Sequence, residues 1–385
     1  MITREIGKPI SESKAEVLKC VWVLKYFAHN SEEFLKKKQI KTDYSESYIQ
    51  YDPLGVILGI MPWNFPYWQV FRFIAPLLMA GNTCVVKHAS NTSGCSLLIE
   101  KVILDNSPFK HIYKSLLLKS KQVNGIISNK KIKAVSLTGS EEAGSAVAMQ
   151  AGKEIKKIVL ELGGSDPFFV LEDADIEKAS KTAVLSRFFN TGQSCIAAKR
   201  FLVHQDVHDS FVNAVKEHID NLVIGNPMDE TTQIGPLAKK EFAIELHNMV
   251  VSSIKMGAKC LIGGDYGKTS LYKPTLLVNV NENMDVFKRE TFGPVLCVMK
   301  IKNANEAIEI ANDSDYGLGG SVWTENIDYA KKISHLIDTG AVFINEMTKS
   351  DPRLPFGGIN KSGYGIELSK YGIREFVNTK TIVVN

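Results

Sequence analysis

The sequence predicts an α/β fold: two doubly wound, mainly parallel sheet domains plus a small β extension. From residue 54 onward, short apolar runs alternate with amphipathic helical stretches, the mark of a parallel sheet covered by helices. The 385 residues allow two or three domains at ~150 residues each. Hydrophobic residues at 44% and charged residues at 23% match an ordinary soluble globular protein and exclude wholesale disorder.

The first forty residues read as helix, with Val17, Cys20, Val21, Leu24 and Phe27 at helical spacing and Lys36-Lys37-Lys38 as a solvated end. Gly55–Met61 is a short apolar run stopped by Pro62, hence a buried strand. A helix over 66–79, a stop at Gly81-Asn82, a strand Thr83–Lys87 and a helix from about Asn91 follow. A third strand spans Ala134–Thr138, a helix Glu141–Lys153, and a fourth strand Ile158–Leu162. Gly163-Gly164 then marks a domain boundary. Beyond it, Phe168–Leu171 reads as a strand and Asp175 caps a helix carrying Ile176, Ala179, Ala183 and Val184. Later strands are Phe201–His204, Leu276–Val280, Gly320–Thr324 and Ala341–Asn345, separated by helices near 206–223, 304–312 and 326–338. Thr379–Val384 reads as a lone edge strand able to pair with another subunit.

The net charge of +4 is small and gives no reason to expect nucleic acid. No apolar run approaches the ~20 residues of a membrane span, and the opening residues carry no signal peptide. Six scattered cysteines without a C-x-x-C pair argue against a disulfide framework or a metal site and fit a reducing cytoplasm.

Asn64, Lys87, Gly139-Ser140 and Glu161 each fall at or just past the carboxyl end of a predicted strand. In an open α/β sheet ligands bind beyond those ends, so the four converge on one rim. Gly139 to Gly144 opens a helix, where free N–H groups suit phosphate, although such a glycine pair alone more often reflects helix–strand packing. Ser145 and Ala146 replace the Lys and Ser/Thr of a Walker A loop, and no G-x-G-x-x-G follows a strand. Cys195 differs from the other cysteines because it lies in the polar turn Phe189–Cys195, a setting for a nucleophilic thiol, with Glu161 as a candidate base.

Six motifs then stand in order: Pro62-Trp63-Asn64-Phe65-Pro66, Leu137-Thr138-Gly139-Ser140, Glu161-Leu162-Gly163-Gly164, Gly192-Gln193-Ser194-Cys195, Glu290-Thr291-Phe292-Gly293-Pro294, and Pro355-Phe356-Gly357-Gly358 with Lys361-Ser362-Gly363. Together they resemble the aldehyde dehydrogenase superfamily over nearly the whole chain. The resemblance implies that Cys195 attacks the aldehyde carbon, that Asn64 and the Cys195 N–H hold the oxyanion, and that Glu161 activates water on the thioester. It further implies Lys87 on the adenosine ribose, Ser140 near the pyrophosphate, Glu290 on the nicotinamide ribose and Phe292 packed beside it. Pro62, Trp63, Ser90, Gly139, Gly144, Leu162 and Gly163 complete the expected cofactor contacts. It also implies a cofactor-binding domain over 1–40 and 54–163, a catalytic domain over 164–370, and bridging segments over 41–53 and 371–385 that make a homodimer or homotetramer.

Two departures from the family pattern matter. Ser90 stands where NAD-preferring members often carry Glu, so NADP is expected alongside NAD. The chain also starts well inside the usual family sequence, and the missing residues should expose apolar surface. For the substrate, Arg72, eight positions after Asn64, resembles the arginine with which succinate-semialdehyde dehydrogenases hold a distal carboxylate; a surface ion pair is the rival reading. Trp68, Phe189 and Phe356 are expected beside it, with Phe189 where that subfamily has a second arginine. The expected substrate is therefore succinate semialdehyde. Lactaldehyde or glyceraldehyde, a CoA-acylating activity, a thiol esterase and a non-catalytic family member are the alternatives.

Overall fold

The computed structural model describes residues 1–267 and 269–385. A six-stranded sheet runs in the order Gly363–Tyr364, Lys157–Glu161, Ile132–Thr138, Val56–Met61, Thr83–His88, Tyr113–Ser115. Its neighbours pair in parallel except at Gly363–Tyr364, which runs antiparallel to Lys157–Glu161. A seven-stranded sheet follows the order Lys259–Ile262, Thr275–Val278, Val295–Ile301, Ala198–His204, Asp166–Val170, Gly320–Trp323, Val342–Ile344, antiparallel only at its first pair. Gly163-Gly164 connects the strand Lys157–Glu161 of the first sheet to Asp166–Val170 of the second.

The predicted alternation is present, with ends shifted by a few residues. The helix Glu141–Lys153 starts and stops as its sequence signals imply: Ser140 accepts from the Ala143 N–H, two glutamates occupy the first turn, and Lys153 lies in the last. Asp175 likewise caps Ile176–Phe188 through the Lys178 N–H. The helix Lys240–Lys255 and the strand Val295–Ile301 add to the predicted elements. Both carry the expected patterns: Ala243, Leu246, Met249, Val250 and Ser253 are the buried face of the helix, while Val295–Val298 are buried continuously, as a strand covered on both faces requires.

The N-terminal segment departs from its prediction. It forms two helices, Ile2–Ile6 and Ile10–Phe34, broken at Gly7, whose φ is 75°, and at Pro9. The buried face of the long helix is Ser13, Glu16, Cys20, Val23, Phe27 and Ser31, and Val17, Val21 and Leu24 are exposed. Polar anchoring turns the helix this way. Glu16 pairs with buried Lys8 and accepts the Tyr67 and Trp68 N–H groups, which open the helix Trp68–Met79. Glu5 does the same for the helix Ser93–Asp105 through Gly94 and Cys95. A carboxylate that satisfies helix-start donors outweighs the orientation a few valines would prefer.

The C-terminal strand also requires correction. Val377–Val384 is not alone: it pairs antiparallel with Glu46–Pro53 over eight residue pairs, in a three-stranded sheet that also contains Lys38–Gln39. Its outer edge carries no further strand among the described residues. No helix of the described residues is long and apolar enough to cross a membrane.

Candidate active site

Cys195 follows a turn held in a costly conformation. Asn190 and Thr191 have φ of 53° and 54°, and Gly192 follows at 74°. A Cβ on Gly192 would lie 2.4 Å from the Gly293 carbonyl oxygen, so only glycine fits. The surroundings hold this turn from several directions. The Asn190 N–H donates to Glu12 at 2.8 Å, the Asn190 side chain donates to the Asn64 and Gln193 carbonyls, and Gln193 accepts from the Ala238 N–H. Below it, buried Lys199 donates to the Ser194, Cys195 and Ala197 carbonyls at 2.8 to 3.1 Å. Cys195 and Cys260 are half-buried, whereas Cys20, Cys84, Cys95 and Cys297 are buried.

Asn64 sits past the end of the strand Val56–Met61 and is buried. One of its amide N–H groups donates to the Gln193 carbonyl at 3.1 Å, which fixes the plane of the amide and leaves its second N–H for another acceptor. Glu161 ends the strand Lys157–Glu161, is 1% exposed, and neither carboxylate oxygen has a hydrogen-bond partner among the described residues. Burial pushes its pKa up to about 8, with Glu367 adding to the rise and Arg72 opposing it. Burial pushes the Cys195 thiol up to about 12, and Glu161 adds to that. Glu161 thus lies within electrostatic reach of the thiol, although its side chain lines neither of the two cavities on which Cys195 opens.

Cys195 lies where two cavities meet. One, of about 320 Å³, is lined by Pro62, Trp63, Asn64, Gly139, Ser140, Leu162, Gly163, Glu290 and Phe292. Gly139-Ser140 presents the start of a thirteen-residue helix, suited to phosphate. Trp63 meets Phe292 edge-on at 5.7 Å and stacks on Phe242 at 5.1 Å, giving an aromatic wall. Glu290 accepts the Gly164 N–H at 3.1 Å and lies 3.4 Å from the Lys199 ammonium. These groups fit a dinucleotide: amide donors for the pyrophosphate, flat apolar walls for a ring, a carboxylate for ribose hydroxyls. Three expected cofactor residues lie outside this cavity. Lys87 is buried and donates to the His88 carbonyl, while Ser90 is exposed at the start of the turn that follows the strand Thr83–His88. At Gly144 a Cβ would come within 2.6 Å of Leu162, so this glycine serves helix–sheet packing.

The second cavity, about 280 Å³, is lined by Trp68, Arg72, Phe189 and Phe356, and by Phe65 and Lys19, which no sequence signal marks as substrate-facing. Phe65 and Phe189 stack at 5.8 Å. Arg72 is 2% exposed, its Nε is ion-paired with Glu367, and its guanidinium lies over the Phe356 ring at 4.7 Å. The rival reading of Arg72, an ion pair, thus holds in kind but not in place: the pair is buried rather than on the surface. Glu367, Lys19 and Lys199 come from segments whose local sequence carries no motif, and only the fold brings them here.

The family model "Aldehyde dehydrogenase family" matches residues 1–382. A probable succinate-semialdehyde dehydrogenase (NADP+) of Synechocystis sp. is 47% identical over 384 residues, covering 99% of this chain and 85% of that protein. A succinic semialdehyde dehydrogenase from Streptococcus pyogenes, solved in complex with NADP+, is 37% identical with a TM-score of 0.97, covering 100% of this chain and 85% of that one. An NAD-dependent aldehyde dehydrogenase from Sinorhizobium meliloti is 30% identical with a TM-score of 0.96, covering 100% and 77%.

Proposed function

This chain belongs to the aldehyde dehydrogenase family, and we propose that within it the protein oxidises a short-chain aldehyde, succinate semialdehyde foremost, to the carboxylic acid. It is an NAD(P)-dependent oxidoreductase. We assign NADP as its first cofactor and NAD as its second. Relatives named for succinate semialdehyde and NADP support this choice. So does the hydroxyl of Ser90, which can donate to a 2′-phosphate where a carboxylate would repel it. The observation that carries the reading is the position of Cys195, shared between a cavity built for a dinucleotide and one containing basic side chains.

In the proposed reaction the Cys195 sulfur bonds to the aldehyde carbon, and its proton passes to Glu161, whose raised pKa suits it to accept and release a proton near neutrality. The carbonyl oxygen becomes an oxyanion, held by the second Asn64 N–H and the Cys195 backbone N–H. Asn64 is already oriented by Gln193, so it need not reorganise as charge develops. NAD(P) held in the first cavity would supply the two-electron acceptor for the hydride that leaves the former aldehyde carbon. Cys195 is then left as a thioester. Glu161 first passes the thiol proton to solvent; as carboxylate it then takes a proton from water, the water oxygen bonds to the acyl carbon, and the C–S bond breaks, releasing the acid and a thiolate that recovers its proton from Glu161. The aromatic walls from Phe65, Phe189 and Phe356 exclude other water and favour a short chain.

Two broader features belong to the same proposal. The open edge of Val377–Val384 is the surface through which subunits pair, giving a homodimer or a dimer of dimers. The six unpaired cysteines suit a reducing compartment, the cytoplasm. The deciding experiment is an aldehyde panel with NADP and NAD, comprising succinate semialdehyde, lactaldehyde, glyceraldehyde and butanal, followed at 340 nm. The highest kcat/KM should fall on succinate semialdehyde with NADP. A higher value for lactaldehyde or glyceraldehyde would replace the substrate, and hydrolysis of an aryl ester without any cofactor reduction would replace the reaction.

A further inference from the structure

The cavity beyond Cys195 is lined by three basic side chains, Lys19, Arg72 and Lys349. Two of them already have carboxylate partners: Arg72 is paired with buried Glu367, and Lys349 with Glu346 at 2.7 Å in a half-exposed position. Lys19 has none among the described residues. Its ammonium lies 4.4 Å above the ring of Trp68 and donates to the Ser350 hydroxyl at 2.8 Å. The two acids whose fields reach it are committed elsewhere. Glu16 pairs with Lys8 and accepts two helix-start N–H groups, and Asp351 is held by Arg353. Burial and the nearby Arg72 charge pull the Lys19 pKa down to about 8. An ammonium left without a counter-ion at the wall of a largely aromatic cavity is stabilised by any anion that enters.

We propose that Lys19 is the specificity-determining cation of this site, binding the distal carboxylate of an aldehyde acid, and that Trp68 is the platform holding its ammonium in place. The proposal rests on the substrate assignment above and deepens it. Arg72 then has a different task. Paired with Glu367 through Nε and close enough to Glu161 to lower its pKa, it charge-balances the base, while its Nη groups stay on the cavity wall beside Lys19. The difference follows from electrostatics: part of the Arg72 charge is already balanced by Glu367, whereas Lys19 offers a cation without a carboxylate partner among the described residues. The helix that supplies Lys19 is itself fixed by the Glu16 bonds to the start of the Trp68 helix, so ammonium and platform move together.

The test compares Lys19→Met, which keeps the apolar stem over Trp68, with Lys19→Arg and Lys19→Gln, using steady-state kinetics with NADP. Succinate semialdehyde and butanal serve as charged and uncharged four-carbon substrates. In Lys19→Met and Lys19→Gln, KM for succinate semialdehyde should rise at least ~10-fold, about 1.4 kcal/mol, with kcat within ~2-fold. Butanal should keep kcat/KM within ~3-fold, and Lys19→Arg should recover most of the loss. Equal losses on both substrates, or no loss on either, would overturn the proposal even if the wild type prefers succinate semialdehyde. A wild type without that preference would overturn both the substrate assignment and the role of Lys19. The agreement of Lys19→Met and Lys19→Gln protects against a single misfolded protein, and the unchanged butanal turnover reports an intact catalytic centre.

Discussion

Replacing Glu161 by Gln should stabilise the protein increasingly as pH rises. The carboxyl is fully buried, neither oxygen is hydrogen-bonded among the described residues, and its pKa stands at about 8 against an ordinary value of 4.5. In the unfolded chain the group ionises near its ordinary value. Between the two values the folded protein therefore holds a proton that the unfolded chain has lost, so stability falls as pH rises through that window. Below about pH 4.5 the contribution is fully present, and above about pH 8 it is gone. If all of the rise reflects charge burial, the ceiling is ~5 kcal/mol; relaxation of the surroundings leaves an effect on the order of 2 kcal/mol or more. The substituted amide carries no charge to bury, so the Glu161→Gln variant escapes the loss. With an unfolding entropy of ~2.1 cal/mol/K per residue, 2 to 5 kcal/mol corresponds to a Tm difference of roughly 2–6 °C. The assay is thermal unfolding of both proteins without cofactor, in buffers from pH 5 to pH 9. The gap should widen from near zero at pH 5 to its full size above pH 8. A gap that stays constant or narrows would mean that Glu161 is not a buried carboxyl of raised pKa, and its assignment as the proton carrier would lose its physical basis.

Three other outcomes follow from the same geometry. Asn64→Ala should lower kcat by ~100- to 1000-fold with KM changed only a few-fold, because the lost N–H acts on the oxyanion and not on the ground-state aldehyde; steady-state kinetics with succinate semialdehyde will show whether the loss falls on kcat. Ser90→Glu should raise KM for NADP by ~30-fold or more and leave NAD within ~3-fold, through repulsion of the 2′-phosphate; a parallel change for both cofactors would remove Ser90 from that contact. A chain ending at Phe376 loses the strand Val377–Val384 and should sediment as a monomer where the intact protein is dimeric or larger; an unchanged mass would place the subunit contact elsewhere.

How much of the site is legible in the residues varies with the range of the interactions involved. The alternation of buried strands and amphipathic helices is evident because unbroken apolar runs and a period near 3.6 are both written in consecutive residues. The stop of the helix Glu141–Lys153 and the cap at Asp175 are legible for the same reason. In the helix Ile10–Phe34 the periodicity identifies the element but not the buried face, since Val17, Val21 and Leu24 suggest one stripe and the Glu16 contacts select another. Spacing leaves Gly144 between a phosphate loop and helix–strand packing, and only the fold, which sets Leu162 against it, decides for packing.

The sheet class, the family, and the placing of Asn64, Gly139-Ser140 and Glu161 at strand ends are all set by the order of residues, because a parallel sheet turns position along the chain into position on one rim. Which charges stand uncompensated is settled by the folded chain and nothing less. Asn64 reaches Gln193 across 129 positions and Lys19 reaches Ser350 across 331, and Arg72 is neutralised by Glu367 from the far end of the chain. Electrostatic pairing depends on distance in space and on the removal of water, and neither is encoded in the local run of residues where each of these charges begins.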